Sequence, residues 1–275
     1  MNTNRIMMRH LGAFLLVGLF CSAGIAAAEP SATALEVEPA PTVYGPGELL
    51  VFDITYGPIS AGEATLEISD VIDFNGRSCY HIESRTNSNR FFSSFYKVRD
   101  RVMSYIAVDS LYSIYFSKRL REGDFRRTVE VVFDHDAGLA HYADGKQVEV
   151  DSSVQDVLSA FYHVRNLDLV PGAVYSVPAH SSGKSYDLKV YVHGRETVKT
   201  EAGEFGCLVV EPAIEGEGLF KHEGKLTIYI SDDANRLPVM IKTKVPVGTI
   251  DVELKSYRIG TPLRALELEV TGDKP

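Results

Sequence analysis

The densest group of metal-ligating side chains is Asp134-His135-Asp136 with His141. Two imidazoles and two carboxylates are the right types for zinc or another transition metal, provided three or four of them converge. However, Asp136-Ala137-Gly138 has the signature of a turn, and polar groups collect at turn tips because water solvates them there. The turn reading is preferred, and no metal is expected. Asp232, Asp233 and Asn235 offer the oxygen ligands of a calcium loop. They lack its central Gly and distal Glu, so they also read as a turn.

Nucleophiles fare no better. Cys207 precedes the apolar run Leu208-Val209-Val210, a setting in which burial makes a thiol inert. The chain holds no G-x-S-x-G elbow and no Gly-rich phosphate loop. With 37 acidic residues, pairing carboxylates on paper selects none of them. The expectation is a protein that is not an enzyme and needs no cofactor. An envelope hydrolase with a site composed from distant strands ranks last.

What remains is chemistry of binding. Arg90-Phe91-Phe92-Ser93-Ser94-Phe95-Tyr96 gathers four aromatic rings in seven residues. Arg99, Arg101, Lys118, Arg119, Arg121, Arg126 and Arg127 follow, the one basic concentration in a chain of net charge −9. Aromatic rings exposed together mark a binding mouth, and clustered guanidinium groups attract phosphates. The expected ligand-binding set is Phe92, Phe95, Tyr96, Arg99 and Arg101, with Phe161, Tyr162 and Arg165 lining a cavity from a helix. Each also has a plainer reading. The rings fill a core, the basic residues are the solvated face of a hairpin, and the helix is a plug.

The elements that would hold these residues are strands. Leu50, Phe52, Ile54 and Tyr56 share one face of an extended segment. Ala64, Leu66 and Ile68 alternate with polar residues, as do Tyr112, Ile114 and Phe116. The pattern recurs at Tyr186–Val192, Leu226–Ile230 and Ile250–Leu254. Side chains of period two belong to half-buried antiparallel strands. Asn75-Gly76 and Asp144-Gly145 are tight-turn pairs. The fold class is therefore mostly β: a curved antiparallel sheet or an open or half barrel.

One segment has helical spacing. Val154, Val157, Leu158 and Phe161 predict an amphipathic helix near 153–166, with Ser152 and Gln155 as a capping box. It separates two β-rich halves that resemble one another. Phe74-Asn75-Gly76-Arg77-Ser78-Cys79 aligns with Ala202-Gly203-Glu204-Phe205-Gly206-Cys207. Tyr105-Ile106-Ala107 aligns with Tyr229-Ile230-Ser231. Two readings stay open for Cys79 and Cys207: a disulfide, or two buried thiols.

The ends give an address. Arg5 and Arg9, an apolar run from Leu11 to Phe20, and Ala26-Ala27-Ala28 read as a cleavable signal peptide over 1–28. Phe20 before Cys21 fits a lipidation site poorly. Residues 29–46, rich in Ala and Pro, read as a flexible leader. A single β domain is expected over 47–262 and a polar tail over 263–275. Cleavage removes Arg5 and Arg9 and takes the net charge from −9 to −11, which argues against nucleic acid. No later run is long enough to span a membrane as a helix. The expected location is the periplasm.

Several phrases together resemble the Gram-negative domain-of-unknown-function family 3108. They are Tyr56-Gly57-Pro58-Ile59-Ser60-Ala61-Gly62, Asp156-Val157-Leu158-Ser159-Ala160-Phe161-Tyr162-His163-Val164-Arg165, Gly203-Glu204-Phe205-Gly206-Cys207, and Asp233-Ala234-Asn235-Arg236-Leu237-Pro238-Val239. The resemblance spans about residues 45–258 and implies an exported, mostly β envelope protein with no assigned reaction. A looser fold-level similarity is to lipoprotein-carrier (Lol-type) half-barrels, which hold acyl chains. The leading expectation is a non-enzymatic periplasmic protein binding a lipid or other apolar ligand in a β cavity. The alternative is an interaction protein with an envelope protein partner.

Overall fold

The computed structural model describes residues 40–214, 226–244 and 248–264. The expected signal peptide, Cys21, the leader up to residue 39 and the tail from residue 265 lie outside the described residues.

Alternating burial follows the alternating sequence. In β1 (Leu49–Tyr56), Leu50, Phe52 and Ile54 are buried between half-exposed neighbours. The chain then meanders through β2 (Ile59–Phe74), β3 (Arg77–Ser88), β4 (Arg99–Ala107), β5 (Ser113–Glu122), β6 (Phe125–Asp134), β7 (Leu139–Tyr142) and β8 (Gln147–Glu149). A one-turn helix, α1 (Arg90–Ser93), interrupts it between β3 and β4. Helix α2 (Val157–Arg165) leads to a second meander. This comprises β9 (Val174–Ser181), β10 (Lys184–Thr200), β11 (Gly203–Ile214), β12 (Leu226–Ser231), β13 (Pro238–Lys244) and β14 (Thr249–Arg258). The last strand pairs with the first. Among the described residues the result is one 14-stranded antiparallel sheet, with β1 and β14 at its centre and β8 and β9 at its edges. It is not closed into a barrel. Among the described residues, no helix is long and apolar enough to cross a membrane.

The two expected turn pairs differ. Asn75 and Gly76 both take positive φ (53° and 79°), as a two-residue hairpin turn matching the strand twist requires. At Asp144-Gly145 only Gly145 does, because the connection from Tyr142 to Gln147 is longer.

Register supports the two related halves. Cys79 pairs with Ala107 and Cys207 with Ser231, so Tyr105 and Tyr229 occupy equivalent positions. A bulge after Ile68 lies opposite Ile82 and His81, and one after Val192 lies opposite Val210 and Val209. Both are three residues past the cysteine on the partner strand. A second bulge follows Tyr105 and Tyr229 alike. Bulges bend a strand and increase its twist, so repeating them at matched positions gives both halves the same curvature. The second bulge also moves Ile114 off the face it was expected to share with Phe116. Ile114 joins Cys79 and Ala107 on the outer face, while Phe116 stays in the main core.

Of the two readings open for the cysteines the structure has the buried thiols, and one expectation is corrected. Both thiols are free and buried in separate clusters, Cys79 with Ile114 and Cys207 with Val239, so equivalence in the repeat holds them apart. The described end of the expected leader is packed on the domain. Tyr44 is 1% exposed and sits in the main core. Its neighbour Val43 donates its backbone N–H to Asn166 Oδ1 at 2.9 Å, and Asn166 returns a hydrogen bond to the Pro41 carbonyl.

Candidate ligand cavity

Two buried polar anchors seat α2 against the inner face of the sheet. At its start, Asp156 is 1% exposed. Its carboxylate accepts the backbone N–H of Leu158 (2.7 Å) and of Ser159 (3.0 Å), satisfying donors that every helix leaves unpaired at its first turn. It also accepts the hydroxyls of Ser104 on β4 and Ser113 on β5. Burial raises its pKa, and these four donors oppose the rise. The expected cap was Ser152 with Gln155, and the helix was expected from 153. The backbone of Gln155 is instead taken up by β9, donating to Pro178 and accepting from His180 (2.9 and 2.8 Å). Those bonds hold it extended, so the helix begins at Val157.

At the other end, Arg165 makes a two-point ion pair with Glu48, at 2.7 and 2.8 Å. Neither side chain is more than 1% exposed. The Tyr162 hydroxyl also donates to Glu48 (3.2 Å), and Arg165 Nε donates to the Arg236 carbonyl (3.0 Å). The guanidinium lies 4.9 Å from the Tyr162 ring centre and 5.6 Å from that of Tyr44. The pair fixes α2 to the start of β1 and to the β12–β13 turn.

Between these anchors α2 presents Val157, Leu158 and Phe161 to the sheet. Leu158 belongs to one apolar cluster, with Phe52, Leu66 and Val252. Val164 belongs to another, with Val190, Leu208 and Ile228. Phe161 and Ile241 are half-buried against both. Where the clusters meet they leave a cavity of about 120 Å³, lined by Phe52, Leu66, Leu158, Phe161, Ile228, Ile241 and their neighbours. Thr65 and Ser84 are the polar residues of this lining. An apolar lining favours apolar groups because it keeps water out.

A second hollow, of about 100 Å³, lies at the gap between the sheet edges. Phe116, Val131 and Phe133 form its apolar part, and Lys118, Tyr142, Lys146 and His180 its polar part.

The nominated residues fall in four places. Phe161 alone lines the cavity. Tyr162 and Arg165 are fully buried in the ion-pair network, a correction to their expected cavity role. Their polar ends turn to Glu48, a partner the sequence pattern did not suggest. Arg101 grips Glu83 on β3 at 2.6 and 2.7 Å. Burial pushes the Glu83 pKa up, but the hydrogen bonds and charges of Arg101 and Arg85 outweigh it and hold the carboxyl below its usual range. Phe92, Phe95, Tyr96 and Arg99 gather at one end of the sheet. Phe92 is half-buried against the main core, Phe95 is exposed, and Arg99 donates to the carbonyls of Ser88 and Val98. Of the residues first nominated for metals, His135 faces the carbonyls of Ser113 and Ser152. Among the described residues, no three His, Cys, Asp or Glu side chains converge.

A family model described as a protein of unknown function (DUF3108) matches residues 51–255. No curated protein matches the sequence. Among solved structures, a β-barrel-like protein of the DUF1849 family from Brucella abortus aligns with a TM-score of 0.56 at 9% identity. The match covers 77% of this chain and 97% of that one. A DUF1089 family protein from Pseudomonas aeruginosa aligns at 0.36 and 10% identity, over 80% and 97%. A protein with a YmcC-like fold from Bacteroides fragilis aligns at 0.29 and 12%, over 78% and 97%. At these identities the likeness to the Brucella protein concerns the fold alone.

Proposed function

This chain belongs to the DUF3108 family, and from that premise we propose that it is a non-enzymatic periplasmic envelope protein that holds an apolar ligand under its sheet. The observation that carries the reading is the cavity between α2 and the strands, apolar on nearly every side. Drug-sized ligands occupy roughly 300–1,000 Å³, several times the about 120 Å³ found here. A cavity of this size suits a small apolar group or the end of one acyl chain. A whole two-chain lipid does not fit inside it.

The test is native mass spectrometry of protein purified from its own envelope, paired with titration of a fluorescent fatty acid. The expected result is a co-purifying apolar molecule and saturable binding. Ala64 lines the cavity and is buried, so Ala64→Leu should fill it and weaken binding at least about tenfold while the β spectrum is kept. Protein with no bound molecule, and titrations that Ala64→Leu leaves unchanged, would sink the idea.

A further inference from the structure

We propose that the end of the sheet carrying α1 and the β5–β6 turn docks on an anionic lipid surface. Three phenyl rings stand out there. Phe91 is 61% exposed, Phe95 58% and Phe125 40%. Phe91 and Phe95 pack edge to face with centres 5.0 Å apart, so they form one knob.

The knob is rigidly mounted. Asn89 caps α1 by accepting the Phe92 backbone N–H at 2.9 Å. The same residue ties α1 to the β1–β2 hairpin, with its side chain donating to the Ser60 carbonyl (2.7 Å) and its backbone to that of Ala61 (2.9 Å). The β5–β6 turn is held against the chain leaving α1, because the Gly123 N–H donates to the Lys97 carbonyl at 2.8 Å. The Tyr96 ring fills the space a side chain at Gly123 would need. A Cβ there would lie 2.7 Å from the ring, and the φ of +55° also favours glycine. Phe125 and Arg126, which open β6 just past this turn, are thereby held at the same end of the sheet as Phe95 and Lys97.

Charge decides the partner. Residues 90–127 contain nine Lys or Arg and four Asp or Glu, a net of +5 in a chain of net −9. Two of those acids, Asp100 and Glu122, are buried. Arg90, Lys97, Arg99, Arg121 and Arg126 are exposed, against a single exposed acid in the segment, Asp124. An anionic membrane repels the rest of the protein and attracts this end, which sets the orientation of approach. Rings then enter the boundary between headgroups and acyl chains while the flanking cations stay at the phosphates. An excess of exposed cations in the segment that carries an apolar knob suits a surface that offers negative charge throughout its plane. The inference goes beyond the cavity reading and stands without it.

The chain contains no Trp, so Phe95→Trp provides a single reporter at the knob, away from the cavity. Its emission should move to shorter wavelength with vesicles of phosphatidylethanolamine and phosphatidylglycerol, and stay unchanged with phosphatidylcholine vesicles. Co-sedimentation of the unsubstituted protein should show the same preference and weaken with added salt. Lys97→Ser with Arg121→Ser should weaken binding about 25-fold, taking roughly fivefold per cation. Phe91→Ser with Phe95→Ser should weaken it at least about tenfold. All these side chains are exposed, so the thermal midpoints should match the parent. Unchanged Trp emission, equal binding to both kinds of vesicle, or full binding by the paired variants would overturn the proposal. Loss of the fatty-acid site by Ala64→Leu should leave vesicle binding intact, which separates the two ideas.

Discussion

The Tyr142 hydroxyl meets Nε2 of His180 at 2.7 Å across the gap where the sheet fails to close. The Gly183 N–H donates to the same hydroxyl at 2.8 Å, so the hydroxyl proton is directed to His180. On the far side of the ring, Nδ1 lies 2.9 Å from Ser185 Oγ, which donates to the Glu149 carbonyl. Hydrogen bonds thus run in one direction from the β9–β10 turn through β7, β9 and β10 to β8. Side chains join the edges that strand pairing leaves apart. The run requires a neutral imidazole that accepts at Nε2 and donates at Nδ1.

That requirement gives a pH dependence. Burial, with the nearby charge of Lys146, lowers the His180 pKa to about 4. An unfolded His titrates near 6.5. Between these values the unfolded chain takes up a proton and the fold does not, so the contribution is whole above 6.5 and lost as pH falls toward 4. Thermal midpoints of the parent and of His180→Gln should converge as pH drops from 7 to 4.5. Midpoints that fall in parallel would mean His180 has no part in the acid response.

The Glu48–Arg165 pair should show strong coupling. Arg165→Met leaves a buried carboxylate without its cation, at a cost of about 3–5 kcal/mol. Glu48→Leu combined with Arg165→Met removes both charges, and the double variant should be more stable than the single one. Urea unfolding of the parent, Arg165→Met, Glu48→Leu and the double variant measures this. A double variant as unstable as the sum of the singles would show that the pair acts as two independent packing groups.

Asp100 and Glu122 should act in the opposite sense to His180. Burial raises the pKa of both, and the charge of Asp100 raises Glu122 further, with Lys118 opposing. A carboxyl whose pKa is higher in the fold stabilises most below its unfolded value, and that stability is lost as pH rises through the folded one. The parent should therefore lose midpoint between pH 5 and pH 8, and Glu122→Gln should lose less. Equal slopes would remove Glu122 from the account.

The inward residues were legible because alternation is enforced at every strand position. Leu50, Phe52, Leu66, Ile228 and Val252 could each be placed on a face from spacing alone. The halves were legible because Cys79 and Cys207, and Tyr105 and Tyr229, stand in matching phrases. Bulges were not, since one inserted residue leaves no compositional mark, and Ile114 was misplaced for that reason. Helical spacing found α2, yet the partners of Tyr162 and Arg165 stayed hidden. Glu48 lies 117 residues from Arg165 along the chain, and only the curled sheet brings it beneath the helix.

Pairing of β1 with β14 also orders events in time. Near this junction Gly45 and Gly260 pass so closely that a Cβ on either would lie 2.0 Å from a backbone oxygen. Every other neighbour of a strand in the first meander emerges soon after it. The inner edge of β1 must instead remain bare while the twelve described strands β2 to β13 arrive, with its ladder groups open to any passing chain. Completion of the molecule is therefore set by its slowest, longest-range contact: the oldest strand waits for the youngest.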